Sequence, residues 1–178
     1  CNDAVDEDYL QGRFLLSGGF QDGPALTAVK TGGLLYLDEL NKARSDAHTV
    51  VYSLTDDRRY LVVDRLGQVF RAPDSFMVVA SYNPGYHRRT QDLEQSMRQR
   101  FIALDFDYAP AKIEEDIIQH ESGVTEEQAH LLRRVAEKVR NLKEQGLEEG
   151  ASTRLLVYAG KLIYDGVPAK NACRVALL

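Results

Sequence analysis

The chain has 178 residues, of which 44% are hydrophobic and 28% charged, a balance typical of a globular protein with one domain or a domain and a small appendage. Its net charge of −5 argues against a general nucleic-acid or membrane-surface binder. Its two cysteines lie near opposite ends and its apolar runs are too short to span a membrane, so we expect no disulfide framework, no membrane insertion and a cytoplasmic location.

The first 31 residues show no regular apolar pattern, and their glycines predict turns. Residues 18–23 (GGFQDG) indicate a flexible turn or the tip of a small hairpin. Pro24 is typical of a first helical position, so a short helix is expected up to Lys30, with Gly32 ending it. The apolar run 34–37 predicts a strand buried on both faces, as in parallel sheets.

The middle of the chain predicts two more strands, together with helices and a hairpin. Helical spacing of apolar residues indicates a helix over 41–55. The runs 60–63 and 68–70 flank Asp-Arg-Leu-Gly and predict a β-hairpin. A second buried strand is expected at 76–81 and a third strand at 101–106, with a helix over 92–99 between them. Residues 1–108 are therefore predicted to be α/β.

After Pro110 the pattern becomes helical, so residues 109–178 are predicted to form a small all-α domain. A first helix is expected over 110–121, ended by Gly123, with a buried face that comprises Ile113, Ile117 and Ile118. The capping-box sequence at 125–128 (TEEQ) opens a second helix, whose apolar stripe is Leu132, Val135, Val139 and Leu142. Ser152 is expected to cap a third helix and Pro168 to begin a fourth.

Two of the predicted strands end in polar residues that suit phosphate chemistry. Asp38 and Glu39 directly follow the 34–37 strand, and Asn83 lies just beyond the 76–81 strand. The carboxyl ends of parallel strands share one crevice, where open α/β sheets bind ligands. There one carboxylate can hold Mg²⁺ through its water shell, and the other can polarise an attacking water. Taken singly, an acidic strand end is an ordinary loop and an asparagine before proline shapes a turn, so both alternatives stay open.

Three arginines are further candidates for phosphate contacts. Arg98 and Arg100 precede the 101–106 strand, and an arginine at a helix end can reach a phosphate on a neighbouring subunit. Arg154 is expected in the first turn of a helix, where the helix dipole disfavours a cation unless an anion is near. The alternative is that all three are solvated surface charges.

The order of these features resembles that of AAA+ ATPases of the MoxR group, most closely the CbbQ/NirQ/NorQ branch. Four segments carry the resemblance, which covers nearly the whole chain: 36–39 (YLDE), 81–86 (SYNPGY), 98–101 (RQRF) and 147–154 (LEEGASTR). It implies a P-loop NTPase core of the AAA+ type over residues 1–108, with a parallel sheet flanked by helices and incomplete at its N-terminus. A small helical lid domain is implied over 109–178.

The resemblance implies a role for each residue at the strand ends. Asp38 and Glu39 match the Walker B pair, in which Asp38 binds Mg²⁺ through water and Glu39 activates the attacking water. Asn83 matches the polar residue called sensor 1. The 12–23 segment corresponds to one that lines or approaches the ring pore, and the 60–70 hairpin corresponds to the insert before sensor 1.

The three arginines match positions that contact the nucleotide in the family. Arg100 matches the arginine finger, with Arg98 as the substitute if the register differs. Arg154 matches the sensor 2 arginine, which reaches from the lid to the γ-phosphate of ATP.

One part of the family pattern is missing, because no G-x-x-x-x-G-K-[ST] loop occurs in the sequence. In the family this phosphate-binding loop lies upstream of the matched residues, and the strand before it runs between the 76–81 and 101–106 strands. A sheet without its central strand leaves two rows of unpaired backbone groups. We therefore expect these residues to be part of a longer ATPase and to be inactive, with weak ATP binding, on their own.

The leading interpretation is an ATPase that uses ATP and Mg²⁺ at the subunit interfaces of a homo-oligomeric ring, expected to be a hexamer, to remodel or activate a partner enzyme. The family's partners are a von Willebrand factor A-domain protein and a client, Rubisco or nitric oxide reductase, between which the residues do not choose. A non-catalytic AAA-like scaffold and a MoxR-type chaperone for metal or cofactor insertion are the alternatives. The net charge of −5 disfavours a ring helicase, and no nucleic-acid partner is expected.

Overall fold

The computed structural model describes residues 1–83, 93–143 and 150–177. The chain forms two compact units, Cys1–Ala103 and Leu104–Leu178. The first combines short strands with helices, and the described part of the second is helical. Each unit has its own hydrophobic core. None of the helices described has the length and apolar character needed to cross a membrane.

The first unit begins with a helix, which the sequence did not predict, and a hairpin, of which the sequence predicted only the tip. Helix α1 (Glu7–Gln11) starts at Asp6, whose carboxylate accepts a hydrogen bond from the Tyr9 backbone N (2.8 Å). Strands β1 (Gly12–Phe14) and β2 (Phe20–Asp22) then pair antiparallel. The predicted hairpin tip is therefore present, but it lies at residues 15–19, and half of the 18–23 segment belongs to β2.

Helix α2 (Pro24–Thr31) begins and ends as predicted, because Gly32 adopts a left-handed conformation (φ 68°) after its last turn. A Cβ at Gly32 would also lie 2.3 Å from the Ser75 Oγ, so a larger residue would strain the backbone and displace Ser75. Strand β3 (Leu34–Leu37) follows at the predicted position.

The helix expected over 41–55 is shorter than predicted. A single 3₁₀ turn (Leu40–Lys42) follows β3, and helix α3 (Ser45–Thr55) starts only after it. The predicted hairpin is confirmed as β4 (Tyr60–Val63) and β5 (Gln68–Arg71). Strand β6 (Met77–Ala80) then pairs in parallel with β3, with Leu37 opposite Ala80. Helix α4 (Gln95–Arg98) completes the unit; the expected start of that helix, Asp92, lies outside the described residues.

Strands β3 and β6 are covered on one face only, so the prediction of two fully buried strands is wrong. Leu35 and Leu37 are 4% exposed on the inner face, whereas Leu34, Tyr36 and Met77 are 55–59% exposed on the outer face. In the part of the chain that the structure describes, no helix packs on that outer face.

The strand predicted at 101–106 is also absent from the described residues. Residues 102–110 are irregular, and Ile102 and Phe106 are more than 90% exposed. The composition suits a strand, but a strand forms only where a neighbour satisfies its backbone groups. The parallel sheet contains β3 and β6 alone among the described strands, so this segment has no such neighbour.

The described part of the second unit contains α5 (Ala111–Ser122), α6 (Glu126–Lys143), α7 (Thr153–Tyr164) and α8 (Ala169–Leu177). The predicted capping box is confirmed, because Thr125 N donates to Gln128 Oε1 (3.0 Å) and Gln128 N donates to Thr125 Oγ1 (3.3 Å). Ser152 caps α7 as predicted, with its hydroxyl accepting a hydrogen bond from Leu155 N (3.4 Å).

The buried face of α5 differs from the predicted one. Glu114, Ile118 and Ser122 are buried, whereas Ile113 and Ile117 are 53% and 37% exposed. The prediction is therefore right for Ile118 and wrong for Ile113 and Ile117. Helix α7 lies very close to α5 at Ser122, since a Cβ at Gly160 would be 2.4 Å from the Ser122 Oγ.

The apolar stripe of α6 is shifted in the same way. Ala129, Leu132 and Ala136 are buried, while the predicted Val135 is 38% exposed. Val139 packs at the edge of the core, and the side chain of Leu142 lies outside the described residues.

Candidate functional site

The carboxyl ends of β3 and β6 lie side by side. Ser81 N donates to Leu37 O (3.0 Å), and Leu40 N donates to Ser81 O (2.9 Å). These backbone hydrogen bonds hold the residues that follow β3 against those that follow β6. Polar side chains at the two strand ends are thereby brought together at one edge of the sheet.

Ser81 connects both carboxylate residues, although the sequence pattern assigned it no role. Its hydroxyl donates to Asp38 Oδ1 (2.5 Å) and accepts a hydrogen bond from Glu39 N (3.1 Å). The pairing of Leu37 with Ala80 places the next residue of each strand, Asp38 and Ser81, opposite each other. The signal was therefore a serine directly after the strand, which becomes meaningful only once the register is known.

Asp38 is an exposed carboxylate with hydrogen bonds on one oxygen. Tyr36 OH donates to the same Oδ1 (3.0 Å) that accepts from Ser81. These hydrogen bonds, the one from Ser81 first, hold the pKa of Asp38 below its ordinary value, so the carboxylate is ionised at neutral pH. No described residue donates a hydrogen bond to Oδ2, which leaves that oxygen for a ligand.

Glu39 has a left-handed backbone (φ 51°, ψ 51°). This conformation costs a non-glycine residue about 1–2 kcal/mol, and such residues cluster at functional sites. The Glu39 carboxylate is partly exposed and accepts a hydrogen bond from Lys42 Nζ (2.7 Å). The backbone turn at Glu39 therefore ends the strand and places a second carboxylate beside Asp38.

Asn83 lies two residues beyond Ser81 and is exposed. It is the last described residue before the gap at 84–92, which contains the rest of the 81–86 segment. The structure therefore places Asn83 near the same sheet edge as Asp38 but shows no contact between them.

Arg100 packs against α3. Its Nη1 donates to Ser96 O (2.7 Å), and its guanidinium lies over the ring of Tyr52, 4.8 Å from the ring centroid. Tyr52 is about two turns beyond the first residue of α3. Arg98, the last residue of α4, is exposed. In the described part of the structure, neither arginine contacts Asp38 or Glu39.

Arg154 belongs to the second unit, where it is exposed on the first turn of α7. The residue before it, Thr153, donates a hydrogen bond to Glu114 Oε1 (2.6 Å). No described carboxylate forms an ion pair with Arg154, so the cation at this helix N-terminus is not neutralised by the described part of the protein.

The residues at the strand ends fit a magnesium ion that is held by few protein ligands. They offer oxygen atoms only, from Asp38, Glu39 and the Ser81 hydroxyl. Mg²⁺ commonly keeps several waters and binds one or two carboxylates together with phosphate oxygens. Among the described residues no cluster of three or more metal-binding side chains occurs, so a site built wholly from protein ligands is not found there.

Both units of the chain match known families. Residues 1–101 match the AAA domain of the dynein-related subfamily, and residues 114–178 match the CbbQ/NirQ/NorQ C-terminal family. Protein CbbQ of Hydrogenophilus thermoluteolus is 48% identical over 100% of this chain and 68% of its own length. The denitrification regulatory protein NirQ of Pseudomonas aeruginosa is 46% identical over 99% of this chain and 69% of its own length.

A crystal structure of a Cytophaga hutchinsonii protein shares the fold, with a TM-score of 0.52 and 16% identity over 98% of this chain and 65% of that one. At this identity the likeness concerns the fold alone. The predicted fold class, a P-loop NTPase core of the AAA+ type followed by a helical lid, is confirmed. The chain belongs to the CbbQ/NirQ/NorQ family of AAA proteins.

Proposed function

We propose that the protein hydrolyses ATP at a site that includes the ends of β3 and β6. The observation that carries the proposal is the position of Ser81, which contacts both Asp38 and Glu39 in a chain of the AAA family. Asp38, ionised at neutral pH, would hold Mg²⁺ through water. When bound, the metal neutralises charge on the phosphate oxygens.

In this proposal Glu39 is the base that takes a proton from the attacking water. The carboxylate is partly exposed, and its described partner is the partly exposed side chain of Lys42. It can therefore turn toward a water at the strand end. Asn83 orients the same water or the terminal phosphate through its side-chain amide. Its exposed position just beyond Ser81 supports this assignment.

The arginines are assigned to phosphates that other parts of the assembly bring close. We assign Arg154 to the γ-phosphate, because it is a helix N-terminal cation without a described ion-pair partner. We assign Arg100, with Arg98 as the substitute, to a nucleotide on a neighbouring subunit. In the described part of the structure neither contacts Asp38 or Glu39 of its own unit, which is expected of a finger that acts on a neighbour.

We further propose that copies of the protein form a cytoplasmic ring, expected to be a hexamer, that remodels a partner enzyme. One relative is named a denitrification regulatory protein, which supports a regulatory action on another protein. The proposed partners are a von Willebrand factor A-domain protein and a client enzyme, either Rubisco or nitric oxide reductase. Activation of each client by the purified ring, with and without ATP, distinguishes them.

ATP hydrolysis by the full-length protein tests the catalytic proposal. Glu39→Gln keeps the size of the side chain but removes the base, so kcat is expected to fall at least about 10²-fold while ATP still binds. Glu121→Gln changes an exposed carboxylate in the second unit and serves as the matched control. A Glu39→Gln protein that hydrolyses ATP at the wild-type rate would defeat the proposed mechanism.

A further inference from the structure

The second unit contains a buried ion pair between Glu114 on α5 and Arg140 on α6. Glu114 is 1% exposed. Arg140 Nη1 donates to Glu114 Oε2 (2.9 Å) and Nη2 donates to Oε1 (2.7 Å), a two-point contact between planar groups. Buried ion pairs add little stability compared with apolar residues of the same volume. The pair therefore calls for an explanation other than stability.

The ion pair holds the residues that precede Arg154 at two points. Thr153 Oγ1 donates to Glu114 Oε1 (2.6 Å), and Arg140 Nε donates to Ala151 O (2.8 Å). Ser152, which lies between these two residues, caps α7. The backbone leading into Arg154 is thus fixed over three consecutive residues.

Arg140 also contacts the segment that leads into α5. Its guanidinium lies over the ring of Tyr108, 3.5 Å from the ring centroid. Tyr108 precedes α5 in the irregular stretch at the start of the second unit. One guanidinium therefore joins this stretch, α5 and the start of α7.

The network stays ionised at neutral pH. Burial opposes ionisation of Glu114, but the hydrogen bonds from Arg140 and Thr153 outweigh burial and keep its pKa below the ordinary value. Both oxygens of the carboxylate are hydrogen-bonded, so the contacts leave little freedom for the start of α7 to move.

We propose that Glu114, Arg140 and Thr153 are positioning residues for Arg154, which hold the first turn of α7 in the orientation from which Arg154 contacts the γ-phosphate. The inference rests on the nucleotide contact assigned to Arg154 above. This role accounts for the buried ion pair between Glu114 and Arg140, which packing alone does not explain.

The least disruptive test is a substitution of Thr153 in the full-length protein. Thr153→Val removes the hydroxyl but keeps the shape, whereas Thr153→Ser keeps the hydroxyl. We expect Thr153→Val to lower kcat about tenfold, because a small misplacement of a contacting group is enough for such a loss. Thr153→Ser should restore kcat to within about twofold, since the hydrogen bond to Glu114 remains. Equal rates for wild type and Thr153→Val would overturn the inference.

A double-mutant cycle separates this inference from the function on which it rests. If Thr153 acts through Arg154, then Thr153→Val should lower kcat no further when Arg154→Ala is already present. Multiplicative losses in the double variant would show that Thr153 acts elsewhere and would overturn the positioning role alone. A wild-type rate for Arg154→Ala would instead remove the nucleotide contact assigned to Arg154, and the positioning role with it.

Glu115 provides the control for a merely structural effect. It is the neighbour of Glu114 and accepts hydrogen bonds from Arg133 Nε (2.7 Å) and His130 Nδ1 (2.8 Å), but it does not contact the start of α7. Glu115→Gln should therefore leave kcat within about twofold of wild type, whereas Glu114→Gln should lower it about tenfold or more. Equal losses in the two variants would mean that any weakened ion pair in the unit has this effect, and would count against the inference.

Discussion

Ser81 organises the site at the scale of a single residue. Its hydroxyl joins the side chain of Asp38 to the backbone of Glu39, so one small side chain orients both carboxylate residues. The register of β3 and β6 alone brings it there. A substitution of Ser81 is therefore expected to change the Mg²⁺ dependence of ATP hydrolysis rather than the free energy of unfolding.

Ser81→Ala should therefore weaken the response of ATP hydrolysis to Mg²⁺. Without the hydroxyl, Asp38 loses the hydrogen bond that lowers its pKa most, so its pKa should rise toward the ordinary value. We expect the Mg²⁺ concentration for half-maximal rate to rise about tenfold, the effect of losing one hydrogen bond to a charged group. The rate is measured across a magnesium titration of the full-length protein.

Ser53→Ala is the matched control, because that hydroxyl donates to Val50 O (2.9 Å) within α3 and does not contact Asp38 or Glu39. It should leave the magnesium titration unchanged. An identical titration for Ser81→Ala and Ser53→Ala would remove Ser81 from the site.

The carboxylate of Glu114 makes the free energy of unfolding depend on pH in the acid range. Its pKa in the folded protein is lowered, so the unfolded chain binds more protons as the pH falls. The stabilisation is complete above the unfolded pKa of about 4.3 and is lost as the pH falls through the lower folded pKa. Wild type should thus lose free energy of unfolding in this acid range, and Glu114→Gln should show a weaker dependence. Urea unfolding, followed by circular dichroism between about pH 3 and 7, measures both; parallel curves would contradict the expectation.

At the scale of elements, close packing of α5 on α7 decides which faces are buried. Gly160 on α7 faces Ser122 on α5, whose hydroxyl donates to Ile118 O (2.6 Å). The contact leaves no room for a larger residue at either position. It explains why a small residue, Ser122, is buried at this point of α5.

Gly160→Ala should consequently destabilise the chain, although alanine is the better helix former by about 1 kcal/mol. The new Cβ would lie 2.4 Å from the Ser122 Oγ and 2.7 Å from its Cβ. Overpacking of this kind typically costs about 1–3 kcal/mol, so the melting temperature should fall. Adding Ser122→Gly should recover part of the loss, because it removes the atoms that clash. A rise in the melting temperature of Gly160→Ala would contradict this packing argument.

The sequence correctly predicted the helix ends that depend on residues close together in the chain. Pro24 and Gly32 bound α2, and Thr125 and Gln128 cap α6 as expected. The buried side of α5 could not be found this way, because Glu114 is buried only by virtue of Arg140, 26 residues further along. The same holds for Ser81, whose partners are set by strand register.

At the scale of the whole molecule, the two units have separate cores and the residues at their boundary are irregular. The apolar side chains in this stretch are exposed: Ile102 is 94%, Leu104 77% and Phe106 93% accessible. Their strand-like composition misled the sequence prediction because composition does not reveal whether a neighbouring strand is present.

This stretch should be the first target of limited proteolysis in the 178-residue chain. Chymotrypsin is expected to cut after Leu104 or Phe106, since exposed irregular backbone is the preferred site of nicking. Mass spectrometry of the early fragments identifies the site, and the C-terminal fragment should keep a helical circular dichroism spectrum because its core lies within 118–177. Early cleavage inside α6 instead would contradict the expectation.

The left-handed backbone of Glu39 places stability and activity in opposition at one position. Glycine adopts a φ of 51° with less strain, so Glu39→Gly should raise the free energy of unfolding by up to about 1 kcal/mol. Lys42 loses its partner in that variant, but an exposed ion pair contributes little. Glu127→Gly, in the first turn of α6, should have the opposite effect, because glycine weakens a helix. Directed evolution that rewards solubility or expression alone would therefore drift away from glutamate at this position, and only a screen for turnover would retain it.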